Sequence, residues 1–260
     1  MGLSQRRAQL IGRLRTRKTR EREALVLVEG VRGVEEALAA GARIRFAVVS
    51  PRLESLAKGA ELRRALLEGG FDVEEESDGI LSALADTEHP QGVLVVCAEE
   101  RPSATFVGRG GRYLVLDGIQ DPGNVGTLVR ASTAFALDGV LVLDGSADPW
   151  SAKAVRAAAG MIFRVPVLKL AAERAVELLQ DAGVPLLVAD AAGMDVGEVR
   201  QAGGWALVVG NEGSGPRPTL VDSATSTVRI PMPGPAESLN AGVAGAILLY
   251  ALTREETVAH

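Results

Sequence analysis

VLDGIQDPGNVGTLVR (residues 115–130) decides the fold of this chain, because an apolar run ends there in a Gly/Pro-rich loop and a helix-like segment follows. The same order recurs in LVVGNEGSGPR (207–217) and in RIPMPGPAESLNAGVAGAILLY (229–250). Each apolar run fits a buried strand, and strands that alternate with helices form parallel sheets. Because ligands bind outside the carboxyl ends of such strands, the three loops are predicted to meet there and form one site.

Each of the three segments carries polar side chains that suit a binding or catalytic site. Asn124 and Ser238 precede helix-like runs, where each is predicted to act as a helix N-cap. Arg130 lies in the helix after the first loop and is suited to hold a phosphate with two hydrogen bonds, although a plain surface arginine is the alternative. Glu212 stands between glycines at the end of a predicted strand, so it either faces solvent or enters the site. Asn240 follows in the third loop.

The third segment leads into a helix that is rich in small residues. Gly242 and Gly245 lie among alanines at positions 241, 244 and 246. A glycine inside a helix costs roughly 1 kcal/mol relative to alanine, so this helix is predicted to need close approach of its backbone to another group. A ligand, a partner and a tightly packed neighbour in the core all satisfy that need.

Familiar catalytic signatures are absent from the sequence. The glycines of the second segment fit neither a dinucleotide-binding fingerprint nor a P-loop, and no Gly-x-Ser-x-Gly or His-Glu-x-x-His pattern occurs. With Cys97 as the one cysteine and with two histidines, His89 and His260, no disulfide framework and no metal site are expected. Site chemistry is therefore predicted to depend on Arg, Glu, Ser and Asn side chains together with backbone donors.

Charge is distributed unevenly along the 260 residues. The chain carries a net charge of −5, yet residues 1–22 hold eight basic side chains and one acidic one, a net +7 that leaves −12 for the remainder. A basic end on an acidic body is typical of a protein that contacts nucleic acid with one part only, and a solvated helix face is the alternative. The candidate nucleic-acid-binding residues are Arg13, Arg17, Lys18, Arg20 and, further along the chain, Arg156.

Strand-like and helix-like segments alternate in both halves of the chain, which predicts two α/β domains. Residues 1–100 form a basic helix and a small module, a stretch rich in Pro, Ser and Gly indicates a linker at 101–111, and residues 112–260 form a larger domain with a mostly parallel sheet. No apolar run is long enough to span a bilayer, and the N-terminus lacks the apolar core of a secretory signal. A reducing, cytoplasmic setting is therefore expected.

At the three segments the chain resembles the SpoU/TrmH family of RNA ribose 2′-O-methyltransferases, which belongs to the SPOUT class. DGIQDPGNVGTLVRAS is similar to the family's first motif, VVGNEGSG to the second and IPMPGPAESLNAGVAGAILLY to the third, and DPWSAKAVRAAAGMIFRVPV (148–167) also fits. Through LVEGVRGVEEALAAG (27–41) and HPQGVLVV (89–96), the first domain resembles the ribosomal-protein-like (L30e-like) RNA-binding domain that often precedes the catalytic one.

The resemblance implies a fold, a cofactor and an assembly. It implies a C-terminal SPOUT methyltransferase domain with a deep trefoil knot, S-adenosylmethionine as methyl donor, no metal, and a homodimer with sites near the subunit interface. The family's polar catalytic positions fall on Asn124, Arg130, Glu212, Ser238 and Asn240. The cofactor-binding positions fall on Gly210, Asn211, Ile230, Met232, Ser238 and Leu239.

The resemblance also implies transfer of a methyl group to a ribose 2′-hydroxyl of RNA. The small first domain favours 23S ribosomal RNA over tRNA as the substrate. A tRNA 2′-O-methyltransferase and a non-catalytic RNA-binding or ribosome-assembly factor of the same fold are the alternatives. Both housekeeping modification and protection of ribosomal RNA from an antibiotic fit the hypothesis of a 23S rRNA 2′-O-methyltransferase. Aromatic residues make up only 3% of the chain, which argues against a broad base-stacking platform.

Overall fold

The computed structural model describes residues 2–199 and 203–254, so His260 and the end of the predicted C-terminal helix lie outside the described residues. The chain divides into two compact units. The first contains the residues up to Glu100 together with Trp150–Arg164, and the second contains Arg101–Pro149 and the residues from Val165 onward.

Helices and strands alternate along the chain, as the apolar patterning predicts. The helices are α1 (Gln5–Leu14), α2 (Arg17–Glu23), α3 (Val31–Ala39), α4 (Pro51–Glu54), α5 (Gly59–Glu68), α6 (Asp78–Leu84), α7 (Pro122–Ala134), α8 (Ala152–Ala157), α9 (Ala172–Asp181), α10 (Pro218–Asp222) and α11 (Ala241–Arg254). The strands are β1 (Leu25–Glu29), β2 (Ile44–Val49), β3 (Val73–Glu75), β4 (Val93–Ala98), β5 (Arg112–Asp117), β6 (Gly139–Leu143), β7 (Val167–Leu170), β8 (Leu186–Asp195), β9 (Trp205–Gly210) and β10 (Ser226–Arg229).

The first unit is built on a mixed sheet with the strand order β1-β4-β2-β3. Strand β4 runs antiparallel to β1 and β2, whereas β3 runs parallel to β2. The sheet packs against α1, whose side chains Ile11 and Leu14 are at most 1% exposed within the same apolar cluster. The basic N-terminal helix is therefore anchored in the core of this unit.

One segment departs from the predicted domain boundaries of 1–100, 101–111 and 112–260. Residues 150–164, which chain order assigns to the later domain, belong to the first unit. Helix α8 of this segment packs on β1, and Arg164 Nε donates to Glu36 Oε2 at 2.8 Å. A sequence pattern follows chain order, so it does not reveal a segment that returns to an earlier unit.

The second unit contains a six-stranded sheet with the order β10-β8-β9-β5-β6-β7. Every neighbouring pair in it is parallel, which confirms the predicted α/β fold with a mostly parallel sheet. The central strands β5 and β9 are almost fully buried, as expected for strands covered on both faces. The chain leaves β5 in one direction through β6 and β7 and occupies the other side with β8, β9 and β10, so a crevice is expected at the carboxyl ends next to β5.

Helix α11 packs closely on α7 and β9. A Cβ built at Gly245 would clash with Leu128 Cδ2 and stand 3.2 Å from Val209 Cγ2. No side chain fits there unless its neighbours move. At Gly245, the close approach that the small residues predict is therefore made to the core of the same chain.

The described residues, 2–199 and 203–254, contain no helix with the length and apolarity needed to cross a bilayer. They also contain no group of three or more His, Cys, Asp or Glu side chains arranged to hold a metal ion. Cys97 is buried in β4, and this burial raises the pKa of its thiol to about 12. The thiol is therefore protonated and unreactive at neutral pH.

Candidate active site

The first two predicted loops begin side by side at the carboxyl ends of β5 and β9. These strands pair in register as far as Asp117 and Gly210, so the loops that follow leave the sheet at the same level. Asn211 Nδ2 donates to Gly118 O at 2.7 Å, which ties the second loop to the first. The structure thus brings two of the three predicted loops into direct contact.

Glu212 and Asn124, which come from different loops, are hydrogen-bonded to each other. Asn124 Nδ2 donates to Glu212 Oε1 at 2.9 Å, and Gln120 N donates to Glu212 Oε2 at 3.3 Å. Burial opposes ionisation of this carboxyl group, but the hydrogen bonds from Asn124 and from backbone N–H groups outweigh it. The pKa of Glu212 therefore lies below its ordinary value, and the side chain is an anion at neutral pH.

The predicted N-cap role of Asn124 is wrong. Helix α7 begins at Pro122, and Asp121 caps it by accepting a hydrogen bond from Gly123 N at 3.0 Å. Proline suits the first turn of a helix because its φ is already helical and its missing N–H would have no helical partner there. In the sequence, the Asp121-Pro122 pair indicated this helix start. Because Asp121 caps α7, the amide of Asn124 is available to bind Glu212.

The predicted N-cap role of Ser238 is also wrong. Helix α11 begins at Ala241, and Asn240 Oδ1 accepts hydrogen bonds from Gly242 N at 2.9 Å and Val243 N at 3.2 Å. Ser238 lies two residues earlier in the loop, where it is exposed and makes no hydrogen bond within the described part of the chain. Its hydroxyl is therefore available to a ligand.

Asn124 also contacts the start of α11. A Cβ built at Gly242 would stand 3.2 Å from Asn124 Oδ1 and 3.1 Å from Asn240 Oδ1. The Asn124 side chain thus binds the second loop through Nδ2, and its Oδ1 lies close to Gly242 of the third segment. Glu212, Asn124 and Asn240, three of the five predicted catalytic residues, are held in one cluster.

Arg130 lies on the same helix as Asn124, within two turns of it, and its side chain is exposed. Its guanidinium forms no ion pair or hydrogen bond with any of residues 2–199 or 203–254. An arginine without a protein partner is ready to bind an anionic ligand such as a phosphate.

A salt bridge that was not predicted fixes the second loop. Arg217 Nε and N donate to the Asp117 carboxylate at 2.6 and 2.7 Å, and Arg217 Nη2 donates to Asp144 O at 2.7 Å. The Asp117 side chain is only 3% exposed, so its charge needs this partner. The available signal was an acid directly after a buried apolar run, together with the arginine that ends the second segment.

A cleft of about 420 Å³ lies at the carboxyl end of β10. Its walls come from β8, from the loop before α11 and from α11 itself. Apolar side chains such as Ile230, Met232, Leu239 and Leu248 line it, together with Ser238. The structure therefore brings four of the predicted cofactor-binding residues, at positions 230, 232, 238 and 239, to one cavity.

The two remaining predicted cofactor-binding residues, Gly210 and Asn211, do not line this cleft. A Cβ at Gly210 would clash with the backbone at Pro216, so the turn of the second loop itself requires the glycine. Asn211 Oδ1 accepts hydrogen bonds from Gly213 N at 2.9 Å and Ser214 N at 3.0 Å. In this structure both residues shape the loop.

The structure contradicts an RNA contact by Arg20. This residue is only 5% exposed, and its Nη1 donates to Leu14 O at 2.8 Å and to Arg15 O at 2.9 Å. These carbonyls lie at the end of α1, so the guanidinium caps that helix. Helical periodicity gave no sign that this side chain folds back onto the backbone.

The other predicted RNA-binding residues are more accessible. Arg13 and Lys18 are exposed and have no side-chain partner elsewhere in the described chain. Arg17 is paired with Glu21 at 2.8 Å on the helix surface. Arg156 lies in the first unit and binds Asp86 Oδ2 at 2.9 Å.

The chain matches two family models. Residues 111–250 match the SpoU rRNA Methylase family, and residues 6–95 match the MRM3-like substrate binding domain. The first match contains the three loops and the cleft, and the second contains all strands of the first sheet except the end of β4.

Two relatives align with nearly the whole chain. The 23S rRNA (guanosine(2553)-2′-O)-methyltransferase RlmP of Bacillus subtilis (strain 168) is 36% identical over 242 residues, which cover 92% of this chain and 93% of that protein. The 23S rRNA (adenosine(1067)-2′-O)-methyltransferase of Streptomyces laurentii is 28% identical over 245 residues, which cover 92% of this chain and 89% of that protein.

Solved structures agree with this assignment. The AdoMet-bound rRNA methyltransferase from Sinorhizobium meliloti superposes with a TM-score of 0.86 at 26% identity and covers 98% of this chain and 97% of its own. The SpoU methyltransferase AviRb from Streptomyces viridochromogenes, in complex with the cofactor AdoMet, gives 0.85 at 27% identity, with 98% and 99% covered. The chain therefore belongs to the SpoU rRNA methylase family, as its three sequence motifs predicted.

Proposed function

We propose that the protein transfers a methyl group from S-adenosylmethionine to a ribose 2′-hydroxyl of 23S ribosomal RNA. The observation that carries this proposal is the cluster of Glu212, Asn124 and Asn240 on the helices and loops that also present Arg130 and the cleft. The 36% identity to a 23S rRNA 2′-O-methyltransferase over 92% of the chain supports the substrate class.

The cleft suits S-adenosylmethionine by its chemistry. Ile230, Met232 and Leu239 offer apolar surface to the adenine ring and the methionine chain, and Ser238 offers a hydroxyl. The backbone of residues 231–239 forms no hydrogen bond with the rest of the described chain, so its polar groups are open to a ligand. The two AdoMet-bound structures of similar proteins support the same cofactor here.

S-adenosylmethionine, when bound, supplies an electrophilic methyl group on a positively charged sulfur. Arg130 holds the phosphate next to the target ribose and stabilises the negative charge that develops on the 2′-oxygen. A guanidinium stays protonated in proteins, so Arg130 acts as a hydrogen-bond donor and not as a base, and the proton that the 2′-hydroxyl loses on methylation passes to solvent water. Much of the rate enhancement then comes from holding the hydroxyl in line with the methyl group.

The remaining polar residues orient the substrate and the loops. Asn240 Oδ1 caps α11, which leaves its Nδ2 to donate to a ribose or phosphate oxygen. Ser238, in the same loop, contributes its hydroxyl as a further contact to the substrate. Glu212 lies in the second loop and binds Asn124 of α7, so this hydrogen bond holds the second loop against α7.

The decisive experiment measures transfer of labelled methyl groups from S-adenosylmethionine to an unmodified 23S rRNA transcript. Arg130→Ala is expected to lower the rate about 100-fold or more, because a preorganised charge is lost from the transition state. Because Arg130 has no partner within the described chain, cofactor affinity and thermal stability should stay unchanged. Arg109→Ala is the matched control, since Arg109 is also exposed and unpaired within the described residues.

The same assay separates the alternatives. Near wild-type transfer by Arg130→Ala would overturn the role of this arginine. Label in total tRNA but not in 23S rRNA would favour a tRNA methyltransferase. Failure to bind S-adenosylmethionine would favour a non-catalytic RNA-binding factor.

We also propose that the protein acts as a homodimer in the cytoplasm and that its second unit is knotted. Val243, Ile247 and Tyr250 are 47%, 38% and 50% exposed, and their spacing puts them on one face of α11. A second copy of the chain would cover this apolar stripe. Strand β10 lies at the edge of the sheet, and the chain then comes back to pack α11 on α7 and β9. This course of the chain supports a trefoil knot.

A further inference from the structure

Three sequence stretches with no part in the catalytic proposal converge on one pocket in the first unit. The end of β1 contributes Glu29, the start of α3 contributes Arg32, the loop before β4 contributes His89 and Gln91, and α8 contributes Arg156. These residues belong to the stretches 27–41, 89–96 and 148–167 that carry the family resemblance outside the three catalytic motifs. The pocket has a volume of about 310 Å³.

A buried carboxylate organises the pocket. The Glu29 side chain is only 3% exposed, and its oxygens accept hydrogen bonds from Asp86 N at 3.0 Å and from the Thr87 hydroxyl. Arg156 Nη1 faces Glu29 Oε2 at 3.7 Å, and Arg156 Nη2 binds Asp86 Oδ2 at 2.9 Å. This network fixes the arginine and the surrounding loop before any ligand arrives.

Several donors at the pocket lack an acceptor. Arg156 Nη1 is buried and makes no hydrogen bond. Arg32 is exposed and has no side-chain partner in the part of the chain that the structure describes. Gln91 Oε1 accepts from Val31 N at 2.8 Å, which leaves the amide NH₂ group of Gln91 to donate elsewhere. Buried donors are normally satisfied, so Arg156 Nη1 favours a ligand with acceptor oxygens, and the exposed donors of Arg32 and Gln91 can bind the same ligand.

The backbone at the start of α3 also favours a ligand with acceptor oxygens. Helix α3 begins at the pocket, where its N-cap residue Gly30 has no side chain and Gln91 Oε1 accepts only from the first N–H, that of Val31. Gly30 precedes the helix with a φ of +89°, a conformation that favours glycine. The next two N–H groups, those of Arg32 and Gly33, bond to no other described residue, and together with the positive end of the helix they favour an anion beside Arg32.

The N-terminal helices, by contrast, offer less free charge than the sequence suggests. Arg7 binds the carboxylates of Asp72 and Glu74, and Arg15 Nη2 donates to backbone carbonyls including Ala85 O at 2.8 Å. Arg20 is buried. Arg13 and Lys18 remain unpaired on these helices within the described residues, and the pocket adds further cations of this unit to them.

We propose that this pocket binds one unpaired nucleotide of the RNA substrate, with Arg32 on its phosphate and with Gln91 and Arg156 donating to its oxygen atoms. The inference rests on the proposed function, because it takes RNA to be the substrate. A volume of about 310 Å³ admits a single nucleotide but no duplex. Reading one splayed nucleotide by hydrogen bonds also agrees with a chain in which only 3% of residues are aromatic.

The test compares Arg32→Gln with Arg45→Gln in binding to an unmodified 23S rRNA transcript. Arg45 is the matched control, because it is exposed on β2 of the same unit, outside the pocket, and unpaired within the described residues. Arg32→Gln is expected to weaken binding about 10-fold and to lower the slope of log affinity against log salt by about 1. Arg45→Gln should bind within about twofold of the wild type. Methyl transfer by Arg32→Gln should show a higher KM for RNA with kcat retained.

A second measurement locates the nucleotide. RNA containing 4-thiouridine is crosslinked to the wild-type protein, and the attached peptides are identified by mass spectrometry. Crosslinks within residues 29–33 or 87–91 are expected. Equal RNA affinity of the two variants, with no crosslink in the pocket, would overturn the proposal that the pocket binds a nucleotide, even if the wild type methylates 23S rRNA. A wild type that methylates no RNA would overturn the proposed function, whereas a 10-fold difference between the variants would still support the pocket.

Discussion

Glu212 binds Asn124 as an anion, so this contact depends on pH. The pKa of Glu212 in the folded protein lies below its ordinary value, because the hydrogen bonds to its charged form outweigh its burial. Its contribution to stability is therefore complete above the ordinary glutamate pKa of about 4.3 and is lost as the pH falls through the lower folded-state value. At neutral pH, we expect Glu212→Gln to reduce the free energy of unfolding by about 1 kcal/mol.

Urea denaturation at several pH values checks this expectation. The stability difference between the wild type and Glu212→Gln should shrink as the pH is lowered through the acidic range. In an Asn124→Ala background the same substitution should have a smaller effect, because the main donor is gone. A difference that is independent of pH in both backgrounds would contradict the assignment.

The pair Asp117 and Arg217 supports the loop that carries Glu212. Arg217→Ala would leave a carboxylate with a 3% exposed side chain without its partner, so we expect a loss of about 3 kcal/mol in stability. Asp117→Ala combined with Arg217→Ala should lose less than the sum of the single changes, since no uncompensated charge remains. Additive losses in urea denaturation would argue that the two side chains act independently.

Single residues were predictable where a loop position fixes their surroundings. Glu212 and Asn124 follow buried parallel strands, so their place at the carboxyl edge of the sheet followed from the pattern of apolar runs, whereas the pairing of β5 with β9 that brings them together did not. Their individual bonds did not follow, because the choice between Asp121 and Asn124 as the cap depends on where Pro122 starts the helix. The burial of Arg20 was equally hidden, since an arginine at a polar helical position normally points to solvent.

At the scale of elements, the glycines of α11 set how closely it packs. Gly245→Val should destabilise the protein by about 2 kcal/mol, because the added carbons overpack the contact with Leu128 and outweigh the better helix propensity. Gly12→Ala on α1 is the control, since a Cβ there meets nothing within 4 Å. It should stabilise the protein by about 1 kcal/mol, and equal effects of the two changes would show that packing is not the cause.

Element boundaries depend on contacts that periodicity does not contain. Helix α4 ends at Glu54 and α5 begins at Gly59, where a Cβ would clash with Leu53 O. The predicted basic helix at the N-terminus is two helices, α1 and α2, with Thr16 between them in an extended conformation.

At the scale of the whole molecule, the sequence predicted the division into two units, but it did not predict the order in which the chain visits the strands. Alternating strands and helices predicted two α/β units, but any strand order that keeps the apolar faces buried fits such a pattern. The order β10-β8-β9-β5-β6-β7 and the return of residues 150–164 to the first unit arise from specific packing. The pocket around Glu29 and Arg156 exists because of that return.

The exposed stripe on α11 leads to a prediction about assembly. Val243, Ile247 and Tyr250 present apolar surface to solvent, which a second copy of the chain would remove from water. Ile247→Lys places a charge in the middle of this stripe, so we expect it to convert the dimer to a monomer in size-exclusion chromatography with light scattering. Leu67→Lys is the control, because Leu67 is 49% exposed on α5 of the first unit and lies outside the stripe. A wild type that is already monomeric, or an Ile247→Lys variant that stays dimeric, would show that this face is not the interface.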